Sequence, residues 1–83
     1  MKSTQYFEEQ VLRKRPYIDP GQCAEVIARP LARLVQDDGR IRYWGRVVDA
    51  RDGTIRALRV VTLEDGETIH NAFFDRAFGE NRS

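Results

Sequence analysis

At 83 residues, with 14 lysines and arginines against 13 aspartates and glutamates and a formal net charge of +1, the chain has room for one small core and lacks the surplus cations of a general nucleic-acid coat. A composition 41% hydrophobic, 33% charged and 10% aromatic excludes an intrinsically disordered polymer. The single cysteine excludes an internal disulfide and a cysteine-built metal site, and no stretch approaches the roughly eighteen apolar residues that a membrane span requires.

Residues 3 to 15, STQYFEEQVLRKR, predict a first helix. Ser3 or Thr4 serves as N-cap, Glu8 and Glu9 fall early and Arg13, Lys14 and Arg15 fall late, so both ends complement the helix dipole. Phe7, Val11 and Leu12 make the apolar stripe, and Pro16 disfavours helical geometry at Arg15. The stretch IDPGQCAEVIARP predicts a second helix, with Asp19 as cap, Pro20 at the first helical position and Pro30 closing it. Cys23, Val26 and Ile27 form its buried side, which makes Cys23 a small core residue rather than a reactive thiol.

After Pro30 the period changes to alternation. LARLVQ, IRYWGRVVDA, IRALRVVTL and TIHNAFFDR predict four strands, separated by the turns DDGR, RDGT and EDGE. An Asp-Gly pair between alternating runs is a strong hairpin signal, and here it occurs three times. The expected architecture is α+β: two N-terminal helices packed on one face of a four-stranded antiparallel meander. Residues 1–83 form one domain, with an ordered core from about 3 to 76 and a flexible tail over 77–83.

Within the second strand, Arg40, Arg42, Trp44 and Arg46 alternate with Ile41, Tyr43, Gly45 and Val47, so a cationic and aromatic face opposes a core face. The next strand adds Arg56 or Arg59 to the first of these. Guanidinium groups pair with phosphates and an indole stacks bases, which suits single-stranded nucleic acid; a polar exterior of an ordinary strand has the same alternation, but leaves the large ring unexplained. His70, the only histidine, and Arg76 lie on the last strand and are the candidates for proton transfer and for stabilising developing charge. Asp75 can instead pair across to one of the arginines. The cluster RKR at 13 to 15 either completes the helix dipole, or Arg13 or Arg15 reaches the sheet and joins the anionic site. Phosphate-binding loops, dinucleotide fingerprints, metal-ligand clusters and serine triads are absent from the sequence, so no cofactor or metal is expected.

Two helices with the second ending in EVIARP, a DGRIRYWG hairpin, an LRVVT strand and a terminal strand resemble the RelE/ParE-like toxin superfamily of small bacterial proteins, in its helix-first, uncharacterised branch. Arg15 with PYID, and VIARP, stand in that branch's arginine-isoleucine and V-I-x-x-P places. The resemblance implies a metal-independent endoribonuclease of a toxin-antitoxin system, with an antitoxin-like protein partner, or a gyrase inhibitor. On it, Arg15, Arg40, Arg42, Arg46 and Arg59 hold phosphates, Trp44 or Tyr43 stacks a base, and His70 and Arg76 act on the scissile linkage. The sequence departs from the pattern at Phe7, where a histidine is usual, and at His70, Asn71 and Phe73, where threonine and tyrosine are usual. The other expectation is a non-catalytic interaction module whose arginine and tryptophan face docks an acidic peptide or a second protomer as a homodimer. The N-terminal MKSTQYFEEQ has no apolar run of signal-peptide length, and with the lone thiol this predicts a cytoplasmic protein that does not enter a membrane.

Overall fold

The computed structural model describes residues 2–78. A π-helical stretch, Phe7–Val11, runs directly into one α-helical turn, α1 (Leu12–Lys14), and the two form the N-terminal helix. Thr4 caps it: its hydroxyl accepts the Phe7 N–H at 3.0 Å. The wide turn brings Phe7 and Val11, both buried, onto the side facing the sheet. Then α2 (Pro20–Ala28) starts as expected, with the Asp19 carboxylate accepting the Gly21 N–H at 2.8 Å and Pro20 in the first turn.

Four strands follow, β1 (Ala32–Val35), β2 (Ile41–Val48), β3 (Ile55–Thr62) and β4 (Ile69–Phe74), in one antiparallel sheet of order β1-β2-β3-β4. Each hairpin uses its Asp-Gly pair in the same way. The carboxylates of Asp38, Asp52 and Asp65 accept the backbone N–H two residues on, from Arg40, Thr54 and Glu67, while Gly39, Gly53 and Gly66 take positive φ values of 90°, 76° and 72°. The side chain satisfies an amide that the turn strands, and glycine supplies a left-handed conformation that costs other residues energy.

One side of the sheet is the core. Ile41 and Tyr43 from β2, Leu58 and Val60 from β3 and Ile69 and Ala72 from β4 pack with Phe7, Val11, Ile18, Cys23 and Val26. Gly45 is where α2 comes nearest: a Cβ at this position would sit 2.9 Å from Val26 Cγ2, so only glycine lets helix and strand approach to this distance. The helices do not extend over β1, where Val35, on the same side as Tyr43, is half exposed.

Two features differ from the sequence expectation. Residues 2–4 add to the sheet beyond β4, with the Thr4 N–H donating to Ile69 O and the Ile69 N–H donating to Lys2 O, both at 2.9 Å. Ala77 and Phe78, expected in the flexible tail, close a turn on Asp75: the Ala77 N–H donates to its carboxylate at 3.0 Å and Phe78 stacks on Trp44 with ring centroids 5.6 Å apart. The remainder of that expected tail, 79–83, lies outside the described residues.

Candidate functional site

The register fixes the second face of the sheet. Trp44 lies opposite Arg59, Arg59 opposite Phe73, Arg42 opposite Val61 and Arg46 opposite Ala57, so these side chains share the side turned away from the helices. Trp44 is half-buried here rather than under a helix. Its Nε1 donates to Asp75 Oδ2 at 2.9 Å, and Arg59 lies between two rings, 5.8 Å from the centroid of Trp44 and 4.8 Å from that of Phe73. Arg59 Nη1 also reaches Asp75 at 3.7 Å, while its Nε is buried with no hydrogen-bond partner among the described residues. The hydrogen bond from Trp44 holds the Asp75 carboxyl below its ordinary value, and burial, with Arg42 nearby, lowers that of Arg59. Asp75 therefore does pair with an arginine, and the pair is part of a packed cationic and aromatic layer.

At the end of this layer, where β4 stops and β3 continues to Ile55, a cleft of about 850 Å³ opens. Among the described residues five arginines line it, Arg15, Arg46, Arg51, Arg56 and Arg76, against two acids, Asp52 and Asp75. Arg15 reaches round the outer edge of β4 from the end of the N-terminal helix and places its guanidinium 5.9 Å from the ring of Phe73. Tyr17 and Phe74 form the opposite wall, stacked at 5.9 Å, with the Arg51 guanidinium 3.7 Å from the centre of the Tyr17 ring.

Arg51 and Arg56 are fixed by one buried carboxylate. Asp49, fully buried, accepts from the Arg51 backbone N–H at 2.9 Å and from Arg51 Nη2 at 2.6 Å. Arg56 Nε lies 2.9 Å from the same carboxylate, near enough for an ion pair although its N–H is not aimed at the oxygen. The hydrogen bonds from Arg51 outweigh the cost of burial and hold the Asp49 carboxyl at about 2. Arg15, Arg46 and Arg76, by contrast, form no ion pair with any described residue. Three guanidiniums without an ion-pair partner among the described residues, from the end of α1, from β2 and from the turn after β4, thus line one concave surface.

The other sequence candidates lie elsewhere. Arg40 precedes β2, in the hairpin turn, where Asp38 accepts its backbone N–H and sits 4.0 Å from its Nε. Arg42 is on the outer face, but its Nε donates to Gln36 Oε1 at 2.7 Å. Tyr43 is a core residue, 4% exposed, with its hydroxyl donating to Gly66 O at 3.2 Å; odd positions of β2 face the helices, so stacking a base on it is excluded. His70 sits at the far end of β4, stacked on Tyr6 at 4.9 Å with Nδ1 3.1 Å from the Thr4 hydroxyl. Burial and then the charge of Arg40 lower its pKa. Arg76, expected on the last strand, lies in the turn beyond the end of β4 at Phe74, so the stretch of strand from His70 to Phe74, roughly 13 Å at about 3.3 Å per residue, stands between them and they do not form one reacting pair.

Sequence reading missed Tyr17, Arg51, Phe73 and Phe74 as parts of the site, and it offered Arg56, as an alternative to Arg59, to the outer face, whereas Arg56 lies opposite Val47 on the helix-facing side. Arg51 belongs to the turn RDGT; the signal lay in Asp49, an acid that continues the core-facing series Ile41, Tyr43, Gly45 and Val47. No group of histidine, cysteine or acidic side chains among the described residues is arranged to hold a metal, and no described helix is long and apolar enough to cross a membrane. Comparison with protein-family models, curated proteins and solved structures gave no match, which leaves the chemistry of the cleft as the guide to function.

Proposed function

We propose that the cleft and the adjoining outer face bind single-stranded RNA, the toxin-like reading of the sequence without a cleavage step assigned to it. The observation that carries the proposal is the convergence of Arg15, Arg46 and Arg76 beside Phe73 without acidic partners among the described residues. Guanidiniums held near an aromatic surface suit phosphates and unstacked bases, and the outer face continues the track through Arg59 and Trp44. Proton transfer is not part of the reading, because His70 is at the other end of β4. With a net charge of +1, binding must come from this local concentration of charge rather than from the molecule as a whole.

The test is fluorescence anisotropy of a short labelled single-stranded RNA titrated at several salt concentrations. Affinity should fall with salt, and Arg46→Ala combined with Arg76→Ala should weaken binding about tenfold or more and reduce the log–log salt slope by about 1.4, at roughly 0.7 per phosphate contact. RNA that fails to bind at low salt, or binds the double variant with the wild-type slope, overturns the proposal.

A second reading, docking of an acidic partner segment such as an antitoxin-like protein would supply, is favoured by one further observation. Because β4 ends at Phe74 while β3 runs back to Ile55, the β3 edge at Ile55 has lost its strand neighbour inside the cleft. An extended acidic peptide could add there beneath the arginines. NMR shifts of the Ile55–Ala57 amides on adding such a peptide, with no response to RNA, would favour this second reading over the first.

A further inference from the structure

The two edges of the sheet are finished differently. The β4 edge carries residues 2–4 at one end and Arg15 over Phe73 further along. The β1 edge carries nothing from the described residues. Leu31, Leu34 and Val35 are 62%, 50% and 53% exposed, so apolar side chains stand on both sides of a strand whose outer backbone groups are unpaired. Exposed edges of this kind pair with other strands unless charge, proline or a cover prevents it.

We infer that β1 is a dimerisation edge, at which two copies of this chain pair antiparallel about a two-fold axis through Leu34. Three constraints favour this register over one centred on Arg33. The Gln36 N–H donates to Arg40 O across to β2 at 2.7 Å, so even positions near it direct their backbone inward and Arg33 and Val35 direct theirs to the open edge. Directly opposed residues of an antiparallel pair lie on the same face, so a symmetric pairing must be centred on a residue. Centring on Arg33 would oppose two guanidiniums, which is unfavourable. Centring on Leu34 opposes Leu34 to Leu34 and lets Arg33 and Val35 of each copy exchange backbone hydrogen bonds with Val35 and Arg33 of the other.

Charge complementarity supports the same register. It places Arg33 opposite Val35 of the second copy, close to the turn after that copy's β1, which carries Asp37, and neither Arg33 nor Asp37 forms an ion pair with any described residue of its own chain. Within the chain Arg33 has only a long contact to the Tyr43 ring, 5.9 Å from guanidinium to centroid. The interface is short, so association is weak and concentration-dependent. It joins two sheets into one continuous sheet and does not rest on RNA binding.

Sedimentation velocity over a concentration series tests it, with circular dichroism confirming that each variant is folded. Wild type should show a monomer–dimer equilibrium. Leu34→Lys, which puts two ammonium groups at the axis and changes a side chain exposed in the monomer, should leave the protein monomeric throughout. Arg33→Asp should weaken association roughly tenfold, and adding Asp37→Arg to it should restore the wild-type constant to within a few fold. A wild type that is monomeric up to about 1 mM, association indifferent to Leu34→Lys, or a charge swap that fails to restore would each overturn the inference.

Discussion

Asp49 shows how much one side chain can organise. It is buried at the end of β2, and its acceptor capacity is taken up by Arg51 and by the charge of Arg56, which sets two walls of the cleft. A carboxylate held at about 2 in the fold and at 3.8 when free binds fewer protons in the native state than in the unfolded one between those values. Its contribution to stability is therefore fully present above pH ~4 and is lost as pH falls towards ~2. Asp65, held at about 2 chiefly by the Thr68 hydroxyl, contributes with the same sign in the same window. Thermal melts from pH 6 to 2 should show a progressive fall in Tm. Asp49→Asn should lower Tm at neutral pH and make the acid-side fall shallower without abolishing it, since Asp65 remains. An acid-side slope in Asp49→Asn equal to that of wild type would mean that the Asp49 carboxyl is not stabilised by the fold.

At the scale of elements, the position of α2 depends on the missing side chain at Gly45. A methyl group there would come within 2.9 Å of Val26 Cγ2 and meet a stiff partner, because a β-branched residue in a helix has one favoured rotamer. Gly45→Ala should destabilise by about 1–3 kcal/mol through overpacking. Val26→Ala alone leaves a void, yet in the double variant the new methyl occupies part of it, so the combined loss in urea denaturation should be smaller than the sum of the two. Additive losses would show that the helix shifts rather than clashes. This contact was half legible: the alternation of β2 placed Gly45 on the core side, but the sequence did not say that a helix would press there. The hairpins were fully legible, since each Asp-Gly pair contains both the acceptor and the backbone freedom that the turn uses. The π-helical stretch was not, because Phe7, Val11 and Leu12 suit either helical winding. Arg15 at Phe73 and residues 2–4 at Ile69 were weakly legible or not at all, because edge contacts depend on where a strand ends and on backbone pairing that leaves no side-chain pattern.

For the whole molecule, the management of sheet edges decides how it meets other chains. Residues 2–4 occupy the β4 edge with two backbone hydrogen bonds at Ile69, and Thr4 also caps the N-terminal helix and contacts His70. Removing residues 1–4 takes away all of these at once and leaves a second open edge beside a fully buried Ile69. The Ile69 amide, protected by Lys2 O in the intact chain, should then exchange much faster in hydrogen–deuterium exchange, and the truncated chain should melt at lower temperature. It should also associate in a second manner that Leu34→Lys does not suppress, because the newly bared edge lies across the sheet from β1. The wild-type association, which uses Leu34, should respond to that substitution as before. A truncated chain whose Ile69 amide stays protected would mean that the β4 edge is held without its N-terminal strand, and the asymmetry that singles out β1 would lose its cause.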